Sequence, residues 1–311
     1  MKAKYLFGPV PSRRLGSSLG IDPIPHKTCT YNCIYCQCGR TTNQTIKRKE
    51  YISSKEIIKE VKEFLTNNKV HLDYITFSGS GEPTLNSKIG VMIREIKKMT
   101  SIPIAVLTNS SLLSREDVKE DLLDADLIVP SLDAVVQQTF EFVNRPQKSL
   151  NIGEIVQGLI DFRKKYKGKI YLEILLCRGV NDNPPDLKQM KKTLNKIRPD
   201  KIQLNTVVRP PAEDFVFPLN NSQMQEVQKF FGGNAEIVPS FKSKKTRAWS
   251  KDIEEAIINL LKRRSCTISD LSKTLGINQN EVLKYTTQME KEKRLGYKIH
   301  NQKLYYTCIN Q

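Results

Sequence analysis

Four of the seven cysteines fall within ten residues, at Cys29, Cys33, Cys36 and Cys38. The first three have C-x3-C-x2-C spacing. Closely spaced thiolates on one loop are ligands for an iron–sulfur cluster. Three of them bind three corners of a cubane and leave the fourth iron without a protein ligand. A closed zinc site uses four protein ligands, and Cys38 is a candidate fourth, so a zinc knuckle stands as the alternative. Cys177, Cys266 and Cys308 are scattered, and Cys177, at the end of an apolar stretch, reads as a buried structural thiol. A tight cluster in a chain of 311 residues is a metal site rather than a disulfide framework.

A cysteine loop needs a frame to hold it. From about residue 50 to 240, helix-like and strand-like segments alternate. Residues 53–66 place Ile57, Ile58, Val61, Phe64 and Leu65 on one helical face, with Ser53 or Ser54 as N-cap. Strands are expected at 74–78, 103–108, 127–130, 169–176 and 201–205, and helices at 89–99, 115–123, 152–166, 185–197 and 222–231. A sixth strand is placed before the cysteines, near 19–24. This alternation implies βαβ units and a parallel sheet. Six strands suit an α/β fold of the partial (β/α)6, TIM-like barrel kind, in which chemistry sits at the C-terminal strand ends.

The pattern then breaks. Residues 241–250 are basic, lack apolar periodicity and read as a linker between a domain at 1–240, with a basic N-terminal extension, and a second at 251–311. The second reads as a helix at 253–262, a short helix at 269–276, a longer one at 278–293, and a hairpin turning at Asn301-Gln302. That order resembles a winged-helix domain, and Thr267 to Ile277 matches the helix-turn-helix core.

The formal charge is +17, from 50 basic and 33 acidic residues. Such an excess suits a polyanionic partner, nucleic acid above all; a solvated lysine-rich surface is the plainer explanation. Residues 251–311 carry an excess of only four positive charges, which an amphipathic solvated face explains equally well. No apolar run approaches the roughly 20 residues that span a bilayer, and residues 1–9 carry no apolar signal core. The expectation is a cytoplasmic protein without a membrane partner. Nothing in the sequence bears on its oligomeric state.

The cysteine spacing resembles the signature of the radical S-adenosylmethionine (SAM) superfamily, with Tyr35 in the aromatic position before the third cysteine. The resemblance implies a [4Fe–4S] cluster on Cys29, Cys33 and Cys36 whose open iron chelates the amino and carboxylate groups of SAM. It also implies an external one-electron reductant of the flavodoxin or ferredoxin type, and reductive cleavage of SAM to methionine and a 5′-deoxyadenosyl radical. Ser78-Gly-Ser-Gly-Glu82-Pro83 is similar to the family's "GGE" element, which takes the SAM amino group; Ser80 replaces its first glycine, and Gly81 and Glu82 match. Asn109 ends the third strand where polar groups approach SAM, with Ser110 in place of the usual glycine. Ser131-Leu-Asp133 resembles the "SLD" element that contacts ribose or carboxylate. By the same resemblance Arg178 pairs with the SAM carboxylate, and Asn205 and Val207 lie where adenine packs. The likeness covers about residues 15–240.

Phe7-Gly-Pro-Val-Pro-Ser-Arg13-Arg14-Leu-Gly16, with Cys36-Gln-Cys-Gly39-Arg40, resembles a radical SAM group related to the wybutosine enzyme, which builds a tricyclic tRNA base. That enzyme's extra cysteine motif is missing here. RNA, tRNA in particular, is therefore the first candidate substrate, with phosphates held by basic residues and a base entering the site. A protein or peptide substrate, as for a glycyl-radical activase, is the second. A DNA-binding Fe–S regulator without turnover is the third. Arg13, Arg14 and Arg209, near the cluster loop or a strand end, are candidates for a substrate phosphate or carboxylate; surface ion pairs explain them as well.

Overall fold

The computed structural model describes residues 4–12, 14–238, 253–277 and 279–309. Arg13 and the 241–250 stretch lie outside them. In chain order the elements are β1 (Leu6–Ser12), β2 (Gly16–Ile21), β3 (Thr28–Cys29), β4 (Asn43–Gln44), α1 (Ser54–Asn67), β5 (Tyr74–Phe77), α2 (Ile89–Met99), β6 (Ile104–Thr108), α3 (Glu116–Leu122), β7 (Leu127–Pro130), α4 (Gln137–Asn144), α5 (Ile152–Lys165), β8 (Lys169–Leu176), α6 (Pro184–Ile197), β9 (Lys201–Thr206), α7 (Asn221–Phe231) and β10 (Ala235–Ile237). A C-terminal segment follows with α8 (Ile253–Leu261), α9 (Ile268–Leu275), α10 (Gln279–Lys291), β11 (Leu295–His300) and β12 (Lys303–Cys308).

One eight-stranded sheet runs β1-β2-β5-β6-β7-β8-β9-β10. Seven of its strands are mutually parallel, and β1 pairs antiparallel to β2 as an edge. The α/β class and the parallel sheet follow the alternation in the sequence. The count differs from the expected six parallel strands because β10, three residues long, adds an edge beyond β9. The strand expected near 19–24 is β2, and the basic arginine-bearing stretch before it contributes β1.

Local chemistry explains the boundaries. Ser53 caps α1 by accepting from the Glu56 amide, and Ile57, Val61 and Phe64 form its buried face. Asn183 caps α6 with Pro184 in its first turn. Reciprocal capping boxes start α7 at Asn220 and α9 at Thr267, and α9 stops at Gly276 in the left-handed region. Helix α4 is the one that periodicity missed: it has eight residues and no side-chain cap.

One apolar core joins the strands of the main sheet to helices α1 through α7, with Phe77, Ile75, Leu159 and Phe162 fully enclosed. A second core unites α8, α9, α10 and the β11–β12 hairpin, turning at Asn301-Gln302 as expected, and reaches Val10 of β1. Edge strand β1 thus joins the sheet to the C-terminal segment. No helix among the described residues is long and apolar enough to cross a membrane. Ile257→Ala, which empties the centre of the second core, is expected to destabilise it by about 2–5 kcal/mol. Hydrogen-exchange mass spectrometry should then show faster uptake across α8 to α10 while α1 to α7 keep their protection.

Candidate active site

The strand ends of the parallel sheet open into one cavity of about 390 Å3. Cys29, Cys33, Cys36 and Cys38 line it, together with Tyr35, Gly81, Glu82, Asn109, Ser131, Asn205 and Val207. These groups come from the ends of β5, β6, β7 and β9 and from the cysteine loop, the usual location for chemistry in such sheets.

The cysteine loop is strapped down by backbone. The Asn32 and Ile34 amides donate to the carbonyls of Asn144 and Val143 at the end of α4, both at 3.0 Å, and the Glu82 amide donates to the Thr28 carbonyl. Ile34 is fully buried with Cys177, Val207 and Val216. Tyr31 meets Phe140 of α4 edge to face, with ring centroids 5.3 Å apart.

Three donors address the sulfurs. Asn109 Nδ2 stands 3.5 Å from Cys29 Sγ, Asn144 Nδ2 3.5 Å from Cys33 Sγ, and Lys27 Nζ 3.3 Å from Cys36 Sγ. Burial pushes the Cys29 thiol up to about 12, with Glu82 adding to the effect. Burial likewise raises Cys33. Cys36 is lowered by a hydrogen bond from Cys38 and by the Lys27 ammonium. Ionising three such thiols together needs a strong positive charge among them. The donor set fits an iron–sulfur cluster: three half-buried thiols on one loop, opening to one cavity and backed by N–H groups. It does not fit closed zinc. Among the described residues no three His, Cys, Asp or Glu side chains converge on a single ion, whereas a cubane takes each thiolate on a separate iron. Cys38 shares its single S–H between the Cys36 sulfur and the Arg263 carbonyl oxygen, 2.6 Å away.

Around the loop, buried carboxylates tie strand ends together. Glu82 accepts from the Thr84 amide and hydroxyl, the Thr108 hydroxyl at 2.7 Å and the Asn109 amide at 2.7 Å, so its carboxylate is engaged by protein donors at the cavity wall. Asp133 is buried behind the wall. It accepts from the Tyr35 hydroxyl, from Asn144 at 2.8 Å and from the Leu175 amide, and burial raises it to about 6. Ser80 is also buried behind the surface and donates to Asp22. Glu173 pairs with Arg14 and accepts from Asn205 at 2.8 Å.

The sequence-derived residues therefore divide. The three cysteines, Tyr35, Gly81, Glu82, Asn109, Ser131, Asn205, Val207, Arg14 and Arg209 meet at the cavity. Ser80 and Asp133 stand one layer behind. Arg178 is exposed, with its guanidinium over the Phe217 ring at 5.4 Å, and is not part of the lining; the chain turns outward there because the Arg178 amide bonds the Phe217 carbonyl. Sequence reasoning missed Asn144, Glu173 and the role of Lys27. Lys27 alone carried a local signal, a cation two residues ahead of the first cysteine.

Comparison with known proteins then identifies the chain. Residues 24–190, more than half of it, match the model of the radical SAM superfamily. The chain belongs to that superfamily, and it is an enzyme whose cofactors are a [4Fe–4S] cluster and SAM. That excludes the regulator without turnover. It is 42% identical over 213 residues to UPF0026 protein MJ1312 of Methanocaldococcus jannaschii, covering 68% of this chain and 66% of that one. It is 42% identical over 309 residues to a Brachyspira hyodysenteriae protein named GTPase Obg; the match takes in 98% of this chain but spans only 45% of that protein. A probable dual-specificity RNA methyltransferase RlmN of Thermotoga sp. is 26% identical over 197 residues, covering 61% of this chain and 55% of that protein. Among solved structures, a radical SAM methyltransferase from Sphaerobacter thermophilus superposes with a TM-score of 0.56 at 15% identity, covering 71% of this chain and 65% of that one. That likeness concerns the fold alone.

The tightest steric point of the site is Gly81. A Cβ there would stand 2.0 Å from the Thr28 carbonyl oxygen, one residue before Cys29. Gly81→Ala is expected to push the two loops apart and weaken SAM binding by about tenfold or more, since a single lost contact of a charged ligand is worth that much. Isothermal titration of SAM into reconstituted enzyme checks it; unchanged affinity would contradict the close packing of the two loops.

Proposed function

We propose that Cys29, Cys33 and Cys36 hold the cluster, that SAM occupies the cavity beside them, and that the radical made there modifies RNA, tRNA being the first candidate. The observation that carries the reading is the convergence of three thiols and the polar ends of four strands, β5, β6, β7 and β9, on one cavity. When bound, the cluster supplies the single electron that cleaves SAM reductively to methionine and a 5′-deoxyadenosyl radical. The electron comes from an external reductant of the flavodoxin or ferredoxin type.

The chain's own residues do the positioning. Asn109, Asn144 and Lys27 donate to the three sulfurs and favour their thiolate form. The Ser78–Glu82 turn faces the amino acid end of SAM, with Glu82 locking that turn to Asn109. Ser131, Asn205 and Val207 receive the ribose and adenine, and Asp133 holds Tyr35 and Asn144 in register behind them. The enclosing strand ends exclude water from a reactive radical. On this reading the parallel sheet is the wall of a partial barrel, residues 1–240 form the catalytic domain, and 251–311 form a winged-helix domain beyond a basic linker. All seven cysteines are free, which suits a reducing cytoplasm.

RNA is favoured by the likeness to the RlmN methyltransferase together with the +17 charge. Nucleoside mass spectrometry of tRNA and rRNA from a deletion strain is expected to show one lost or truncated modification, restored by the wild-type gene and not by one carrying Cys29→Ala. An unchanged profile would remove RNA and direct the search to peptides. Independently, alanine at Cys29, Cys33 or Cys36 should abolish 5′-deoxyadenosine formation, and Cys38→Ala should retain iron and turnover. Loss of the cluster in Cys38→Ala would return Cys38 to the ligand set.

A further inference from the structure

The C-terminal segment reaches the cavity at and just beyond the end of α8, where Arg263 joins the lining. Three contacts hold Arg263 there. Its carbonyl oxygen takes a share of the Cys38 S–H at 2.6 Å. Its NH1 donates to the Asn259 carbonyl of α8. Its guanidinium lies over the Phe7 ring of β1, 4.4 Å from the centroid. From that position its Nε stands 3.4 Å from Asp22 Oδ2.

Asp22 is the residue after β2, which runs parallel to β5, so it lies beside the turn that follows β5. The same Oδ2 accepts from the Ser80 amide at 3.2 Å and from the Ser80 hydroxyl at 2.8 Å. The carboxylate also fills the space beside Gly79, where a Cβ would stand 2.3 Å from Asp22 Cγ. One oxygen therefore joins the C-terminal segment to the 78–82 turn.

Both charges are out of water, with the Asp22 side chain 9% and the Arg263 side chain 11% exposed. Burial raises Asp22, and Arg263 is the largest influence against that rise. Burial lowers Arg263, and Asp22 is the largest influence against that fall. Removing one partner leaves the other as a lone buried charge, which its surroundings must rearrange to tolerate. For Asp22 those surroundings are the backbone of Gly79 and Ser80.

We propose that Arg263 is a positioning residue for cofactor binding: acting through Asp22, it fixes the 78–82 turn, so that the C-terminal segment helps set the affinity for SAM. That the turn receives SAM rests on the function proposed above; the link from Arg263 to the turn does not.

The test is a double-variant cycle of Arg263→Met and Asp22→Asn. Methionine keeps an apolar stem on Phe7 and the backbone carbonyl that meets Cys38, and removes the charge. Asparagine keeps an acceptor for Ser80. Isothermal titration of SAM into each reconstituted protein should show about tenfold weaker binding in either single variant, and the same loss rather than about a hundredfold in the pair. Arg263→Lys, which returns a cation, should recover part of the loss. Arg294 forms its ion pairs with Glu254 and Glu292 inside the C-terminal segment, and Arg294→Gln should leave SAM affinity within about twofold of wild type. Losses that multiply in the pair, or an equal loss in Arg294→Gln, would overturn the route through Asp22. If Arg263→Met alone does not fold, Asp22→Asn is compared with the pair: equal affinity upholds the route, and a further loss of about tenfold overturns it. Hydrogen exchange of the reconstituted enzyme before SAM is added gives a second readout. Exchange across 78–82 should be faster in Arg263→Met than in wild type, and unchanged exchange would overturn the link. Faster exchange with unchanged SAM affinity would keep the link and remove the turn from SAM binding.

Discussion

Placing several thiolates in a partly closed cavity is costly, and this constraint organises the site. Alone, Cys29 and Cys33 hold their protons far above neutral pH because their surroundings disfavour charge. The loop becomes a cluster site only if metal supplies the opposing charge and polar groups are already aimed at the sulfurs. Asn109, Asn144 and Lys27 provide that arrangement from three different segments. The end of α4, the loop between β2 and β3 and the end of β6 are therefore fixed relative to the cysteines before any cofactor arrives.

Buried carboxylates hold those segments in place. Glu82 fastens the turn after β5 to the end of β6. Asp133 fastens β7 to β8, to α4 and to Tyr35 of the cysteine loop. Glu173 fastens β8 to β9 and to Arg14 beyond β1. Each accepts several hydrogen bonds, which is what makes a buried charge tolerable. The parallel sheet gathers the strand ends, and these carboxylates lock them. The C-terminal segment closes one side through Arg263, whose carbonyl oxygen accepts from Cys38 while its side chain lies on Phe7.

Much of this was legible in the sequence, for identifiable reasons. The C-x3-C-x2-C spacing is local, and so are short apolar runs such as Ile104–Thr108 set between helical faces, so both the chemistry and the parallel sheet could be read directly. Strand β1 was not, since Gly8, Pro9 and Pro11 disguise it, and β10 is too short to show periodicity. Asn144 was invisible because its importance arises from where α4 docks, and α4 itself is short and lacks a side-chain cap. Arg178 was read by its place after a strand, but the backbone turns it onto Phe217 on the outer surface. Glu82 was read as a SAM ligand from its motif; its four protein donors show a task that the motif does not encode.

The central claim is that Cys29, Cys33 and Cys36 hold a cluster with one iron open to SAM. Electron paramagnetic resonance of the anaerobically reconstituted, reduced enzyme tests it most directly. The account predicts a reduced [4Fe–4S] signal that changes in shape when SAM is added and that is absent from the Cys29→Ala/Cys33→Ala/Cys36→Ala variant. A signal indifferent to SAM, or one that survives loss of all three cysteines, would contradict it.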